Sequence, residues 1–431
     1  MKIIHTADLH LGQIMYQYYD RVDEHRHFFN QLMGWCEEHR PDALVVSGDI
    51  YDIPQPSASA REFFNSTFVT FRQAFPHMAI VVTAGNHDSA SRIKADSSVW
   101  HLSGVTVLGN APSADPNQRR EHWEDDYIVE LPSGFIAAMP FMGNNRTELI
   151  VALTDRIAQR NTDGRPVVLM AHLAVDGCDP LGHDDVGTLR CVTTAALGMG
   201  FDYAALGHIH RPQTLGHDIA DESQPHSSYP AGAIRYSGSA LHVSCDETYP
   251  HSVSLVELDR RGGTVELTRL RIDELRHFYT LPATDKPAAH SLNDLYAAID
   301  SLQSKGLRGY IRPRIDYGAP LPTDFVNSIY QYLEKTGNEL RLNPKTIWEN
   351  IPPREENAER PIFEIADLQQ MTDPLHFIAE TRQQYPELDF EQLKADFEEI
   401  QNELRRQQES ADNKRNAKKN ASKNNESTPT L

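Results

Sequence analysis

Seven side chains able to bind divalent metals recur at one kind of place in this sequence. Asp8 and His10 follow Lys2-Ile3-Ile4-His5-Thr6-Ala7, and Asp49 follows Ala43-Leu44-Val45-Val46-Ser47-Gly48. Asn86 follows Met78-Ala79-Ile80-Val81-Val82 and sits within Gly85-Asn86-His87-Asp88. His172 follows Pro166-Val167-Val168-Leu169-Met170-Ala171, and His208 and His210 follow Tyr203-Ala204-Ala205-Leu206-Gly207. A turn at the end of a buried strand needs its glycines, and it accepts Asn86 or Asp88 because both can bond to nearby backbone groups. It does not need the histidines. A lone histidine is more often a surface or satisfied core residue, but five apolar runs ending alike require another reason.

Carboxylate, amide and imidazole donors together suit manganese, iron or zinc better than magnesium or calcium, which favour all-oxygen shells. Seven donors are too many for one ion that keeps an open position and about right for two. Asp49, on what should be a central strand, is the best candidate to bridge them. Two ions about 3.5–4 Å apart can lower the pKa of a water and stabilise attacking and leaving oxygens together, the chemistry of phosphate-ester hydrolysis. His87, beside Asn86, would then donate a proton to the leaving oxygen, with Asp88 orienting it. Asp88 could equally cap the following helix.

The elements that would position these residues form an α/β pattern. Val22–Arg40 carries Phe28, Phe29, Leu32, Met33 and Cys36 at helical spacing, and Ser57–Phe75 carries Ala60, Phe64, Phe68 and Phe71. Strand, helix, strand, helix, strand implies parallel sheet with crossover helices, and ligands collect at the carboxyl ends of such strands. Val105–Leu108, Tyr127–Leu131 and Phe135–Met139 are further strand candidates, with an antiparallel hairpin through Pro132-Ser133-Gly134. Two face-to-face sheets flanked by helices would hold them all. Later strands are expected over Arg235–Ser237 and Ser252–Leu258, with a turn at Arg261-Gly262-Gly263.

From about Leu275 the pattern becomes a small α+β domain: helix over Leu292–Leu302, strand over Tyr310–Ile315, helix over Asp324–Lys335. The expected division is a catalytic domain over 1–274, a capping domain over 275–350, a linker over 351–363, a helix pair over 364–410 and a disordered tail over 411–431. Within the helix pair Leu393, Phe397, Ile400 and Leu404 share one face and would bind a partner.

The chain has 431 residues, 39% of them hydrophobic, with no apolar stretch long enough for a bilayer and no signal-peptide pattern. Four scattered cysteines, Cys36, Cys178, Cys191 and Cys245, fit reduced thiols in a cytoplasmic protein. With 41 basic and 61 acidic side chains the net charge is −20, which argues against coating DNA by bulk electrostatics. It leaves room for a nucleic-acid substrate held by metals, a local basic patch or a partner.

The order Asp8-x-His10, Gly48-Asp49, Gly85-Asn86-His87-Asp88, His172 and Gly207-His208-x-His210 resembles the five motifs of the calcineurin-like metallophosphoesterase family. A narrower resemblance, to the SbcD nuclease subunits within it, rests on His5-Thr6-Ala7-Asp8-Leu9-His10-Leu11-Gly12, Gly48-Asp49-Ile50-Tyr51-Asp52 and Ala205 to Gln213. Tyr236-Ser237-Gly238-Ser239 and Asp246-Glu247 are similar too. The resemblance is close over 1–260 and looser beyond. It implies one metal on Asp8, His10, Asp49 and His210, a second on Asp49, Asn86, His172 and His208, and His87 as the catalytic histidine. It also implies manganese and cleavage of DNA as a double-strand exonuclease and single-strand or hairpin endonuclease. The implied partner is an SbcC-like SMC-family ATPase, with a homodimer of nuclease subunits inside a heterotetramer serving DNA repair and recombination. The competing enzymatic reading is a phosphoesterase acting on small nucleotides or phosphoproteins, which would not need the added domain and helices. The segment 173–191 departs from the family pattern, and its acidic tip, Asp184 and Asp185, with His183 is expected to be solvated loop and not to bind metal.

Overall fold

The computed structural model describes residues 1–144, 146–181, 190–247, 249–336 and 339–351. The linker, helix pair and tail expected after residue 351 lie outside the described residues, as does the 182–189 part of the 173–191 loop.

Two sheets form the centre. The first has seven strands in the order His226–Tyr229, Val265–Arg271, Ser252–Leu258, Lys2–Thr6, Ala43–Ser47, Ala79–Thr83, Val105–Leu108. Lys2–Thr6 through Val105–Leu108 run parallel, and the remaining pairings are antiparallel. The second has six strands in the order Gln213–Thr214, Ala233–Tyr236, Tyr203–Gly207, Val167–His172, Gly134–Met139, Ile128–Leu131. Ile128–Leu131 and Gly134–Met139 make the expected antiparallel hairpin, and the three inner pairings are parallel.

The period of two along each strand sends alternate residues to opposite faces. Ile3, Val45 and Val81 from the first sheet meet Ile136, Ala138, Val168, Met170 and Ala205 from the second. Ile4, Leu44, Val46, Ile80 and Val82 face outward, against helices Val22–His39 and Ala58–Ala74. Burial on both faces explains why these strands read as continuous apolar runs. The helix stripes are as the spacing implies: Phe28, Phe29, Leu32 and Cys36 are buried in one helix, and Ala60, Phe64, Phe68 and Phe71 in the other. Ser57 caps the second of these by accepting from the Ala60 N–H at 3.1 Å. Helix Thr147–Arg160, not anticipated from sequence, covers the far face of the second sheet with Leu149, Ile150, Leu153 and Ile157.

Between the sheets the guanidinium of Arg235 is fully buried. It donates to Glu222 at 2.8 and 3.0 Å and to Ser254 Oγ at 2.7 Å, while Arg269 donates to the same Glu222 carboxylate at 2.8 Å. Burial alone would raise the Glu222 pKa, but the two arginines hold it down to about 2.

Residues 277–349 carry a separate parallel sheet, with Gly309–Asp316 flanked by His277–Leu281 and by Leu340–Leu342 and Ile347–Glu349. Helices Leu292–Gln303 and Phe325–Thr336 cover it, with Leu295, Ile299, Ile311, Ile329 and Leu333 in its core. This small unit is tied to residues 19–24. Tyr310 donates to Glu24 at 2.6 Å, Arg341 to the Asp20 carbonyl at 2.8 Å, and the Leu342 N–H to Tyr19 Oη at 3.0 Å. Among the described residues no helix is long and apolar enough to cross a membrane.

Candidate metal centre

All seven candidate donors lie at the carboxyl ends of parallel strands, and the two sheets bring those ends to one rim. The first sheet supplies Asp8, His10, Asp49 and Asn86, and the second supplies His172, His208 and His210. Donor atoms of Asp8, His10 and His210 lie within 4.8 Å of one another, as do those of Asp8, Asp49 and His172, and those of His10, Asp49 and His87. Asp8, His10, Asp49 and His172 are each at most 2% exposed, whereas Asn86, His87 and His208 are half-buried and form the side open to solvent.

The approach is close enough to require glycine. A Cβ on Gly207 would lie 1.8 Å from the Ser47 carbonyl, one on Gly48 2.0 Å from His172 Nδ1, and one on Gly85 2.1 Å from Asp49 Oδ1. The backbone is also strained. Asp8, His10, Asp49 and His208 all have positive φ, of 50°, 46°, 48° and 95°. Such conformations cost about 1–3 kcal/mol each and concentrate where function fixes them.

Hydrogen bonds set the rings. His172 Nδ1 lies 2.9 Å from the Ser47 carbonyl, which can only accept, so Nδ1 carries a proton. Its Nε2 then faces Asn86 Oδ1 at 2.8 Å and Asp49 Oδ2 at 3.4 Å. His208 Nδ1 is 2.9 Å from the same Asn86 oxygen, and the His208 N–H donates to Asp8 Oδ1 at 3.0 Å. His10 Nε2 is buried without a hydrogen-bond partner, 3.9 Å from Asp49 Oδ2. Convergent acceptors and an orphaned imidazole nitrogen fit divalent cations, which take such donors in place of protons.

The ionisation balance agrees. Burial opposes charge at every group, yet the charges and hydrogen bonds of His172, with the charge of His10, hold the Asp49 carboxyl well below the usual range. His172 is pushed up to about 9 because Asp49 and Asp8 outweigh its burial. Burial raises Asp8 and lowers His210, the latter to about 4 with help from the charge of His10. Asp49 is thus the anionic centre of the cluster.

His87 and Asp88 divide differently from the sequence expectation. His87 Nδ1 is 2.8 Å from the Asp52 carbonyl, so that carbonyl, and not the Asp88 carboxylate, orients the ring. The His87 N–H donates to Asp49 Oδ1 at 2.9 Å. Asp88 accepts from the backbone N–H groups of Ile50, Tyr51 and Gly85 at 3.0, 2.9 and 2.8 Å, locking the loop after one strand to the loop after the next. Nor does it cap the next helix: Ser89 holds the N-cap position of Ala90–Leu102. Asp88 is buried, and burial and the charge of Asp49 raise its pKa to about 6.

Two further residues had no role assigned from sequence. Asp52 lies 3.4 Å from His10 Nδ1 through Oδ1, besides holding His87 through its carbonyl. Glu247 is 3.1 Å from His210 Nδ1. Both belong to motif stretches already visible in the sequence, Gly48 to Asp52 and Asp246-Glu247, but only tertiary contact assigns them a task.

A model of the family described as Calcineurin-like phosphoesterase matches residues 1–212. The SbcCD nuclease D subunit of Rhodobacter capsulatus is 30% identical over 289 residues, covering 61% of this chain and 67% of that protein. The Escherichia coli K12 protein of the same name is 30% identical over 275 residues, covering 57% and 62%. That of Bacillus subtilis is 26% identical over 331 residues, covering 70% and 75%. The matched regions therefore span from 62% to 75% of these relatives' own lengths.

Proposed function

This chain belongs to the family of SbcCD nuclease D subunits, within the calcineurin-like phosphoesterases, and on that premise we propose that it hydrolyses DNA phosphodiesters at a two-metal centre. Asp8, His10, Asp49 and His210 would hold one ion, and Asp49, Asn86, His172 and His208 the other. The observation that carries this is the convergence of His172 Nε2 and His208 Nδ1 on one Asn86 oxygen beside Asp49. Manganese is the proposed metal, in keeping with a mixed nitrogen and oxygen donor set.

When bound, the ions supply Lewis acidity toward phosphoryl oxygens and offset the charge that builds on them. The protein's own residues do the rest. His87 is the general acid: with Nδ1–H engaged by the Asp52 carbonyl, it donates from Nε2 to the leaving oxygen. Asp88 keeps the loop carrying His87 at a fixed distance from Asp49 by its three backbone hydrogen bonds. Strand-end glycines and left-handed backbone fix the donors before substrate arrives.

The proposed setting is DNA repair and recombination in the cytoplasm, as one of two nuclease subunits working with an SMC-like ATPase. Residues 275–350 act as the cap and 364–410 engage the ATPase. Removing residues 361–431 should abolish co-purification with that ATPase and spare hydrolysis of a small phosphodiester; retained association would place the contact elsewhere. The function itself is tested by incubating the chain with linear duplex DNA and manganese, with and without the ATPase. Shortened DNA is the expected result. Intact DNA beside rapid turnover of mononucleotide or phosphoprotein esters would favour a small-substrate phosphoesterase.

A further inference from the structure

Glu247 is a carboxylate only 2% exposed, and burying such a group costs free energy unless its oxygens are engaged. One oxygen lies 3.1 Å from His210 Nδ1. The other accepts from the Val243 N–H at 3.1 Å and lies 3.4 Å from His251 Nε2. With Nδ1–H donating to Glu247, the lone pair of the His210 ring is on Nε2, and the ring orientation is fixed. Carboxylate–imidazole pairs of this kind orient metal-binding histidines.

The contacts continue outward. His251 packs on His242 with ring centroids 4.1 Å apart, and His242 packs on Phe278 at 5.1 Å. Phe278 stacks on Tyr310 at 5.0 Å and 21°. His242 Nδ1 is also 3.5 Å from Glu274, which is 3.2 Å from His277. Phe278 and Tyr310 lie on neighbouring strands of the cap sheet. A line of side chains, buried from His210 to His242 and half-buried at Phe278, therefore runs from His210 to the cap.

We propose that Glu247 is a positioning residue for His210 and that, through His251 and His242, it makes one half of the metal centre depend on how the cap is seated. This rests on the two-metal reading above and adds a control point to it. Packing is not reason enough for a buried carboxylate at this position, since an apolar side chain would fill the space at lower cost.

The test is manganese binding to the full chain, followed calorimetrically. Glu247→Ala should weaken one of two ions by about 10–100-fold and leave the other unchanged. Glu247→Gln, which keeps an acceptor for the His210 N–H, should restore most of that affinity. His242→Ala, outside the donor set, should weaken the same ion by a smaller factor, about 2–30-fold. Equal weakening of both ions, or none, in Glu247→Ala would show that Glu247 serves the fold alone. If that variant does not fold, Glu247→Asp draws the carboxylate back by one methylene and must weaken the same ion; unchanged affinity overturns the assignment. Unchanged affinity in His242→Ala overturns the link to the cap. A wild-type chain that binds no manganese would instead remove the two-metal reading itself.

Discussion

His172 Nε2 lies 2.8 Å from Asn86 Oδ1 even though the other nitrogen of the ring already gives its proton to the Ser47 carbonyl. In the neutral ring this leaves a lone pair facing an oxygen, with Asp49 Oδ2 3.4 Å from the same nitrogen. Either a second proton or a cation must occupy that meeting point. The rise of His172 to about 9 is the protein's response to the first case, driven by Asp49 and Asp8 against burial. A divalent ion would supply the second, and Asp49 stands beside both.

Asp49→Ala is therefore expected to remove metal and activity together, because on the proposed reading its carboxylate would serve both ions. Elemental analysis of the purified variant checks this. Two tightly held ions per chain would show that Asp49 is not the bridge.

His87→Gln separates ligand from acid. Its ring lies beside Asp49 and His10 and is oriented by Asp52, so it could in principle do either. Two bound metals and hydrolysis slower by about 10²–10⁴-fold are expected. Loss of metal would make His87 a ligand, and a wild-type rate would leave it without a chemical role.

Gly207→Ala tests how closely the sheets must meet at the rim. Its Cβ would fall 1.8 Å from the Ser47 carbonyl and 2.9 Å from His172 Nδ1, and both neighbours are buried. Relief requires separating the strand ends, at a cost of about 1–3 kcal/mol or more. A lower melting temperature with impaired metal binding is expected; an unchanged melting curve would mean the rim can relax.

Outside the donor set, Glu222 links pH to stability. Its pKa is about 2 in the fold against an ordinary 4.5, so its contribution is fully present above about 4.5 and is lost as pH falls toward 2. Glu222→Gln leaves the fully buried Arg235 without its charge partner and should cost about 3–5 kcal/mol at pH 7. In denaturant titrations the gap between wild type and variant should narrow between pH 5 and pH 3. A gap independent of pH would mean that packing, not charge, sets the cost.

Much of this was legible in sequence because buried parallel strands announce themselves. Runs such as Ala43 to Val46 are apolar on both faces, so the polar residues that end them stand out, and their topology carries them to one rim. Val22–His39 and Ala58–Ala74 were equally plain from their stripes, whereas Thr147–Arg160 was missed although Leu149, Ile150, Leu153 and Ile157 mark one face. Ala90–Leu102 buries only Ile93 and Trp100 and lacks a side-chain cap, so it gives little periodic signal. The roles of Asp88, Asp52 and Glu247 were hidden for a different reason: a carboxylate beside a histidine in sequence need not be its partner in space. Asp88 turns to the backbone 37 and 38 residues away, and His87 is held by a carbonyl. His5 shows the converse. It stands in the same motif as Asp8 and His10, yet it is directed between the sheets, 2.9 Å from Tyr203 Oη, with burial pushing its pKa down to about 3.

The most direct test of the central claim is an anomalous difference map at the manganese edge from crystals of the full chain grown with manganese. Two peaks are predicted, one among Asp8, His10, Asp49 and His210 and one among Asp49, Asn86, His172 and His208, with an Asp49 oxygen between them. A single peak, or a pair that leaves Asp49 on one side only, would contradict it.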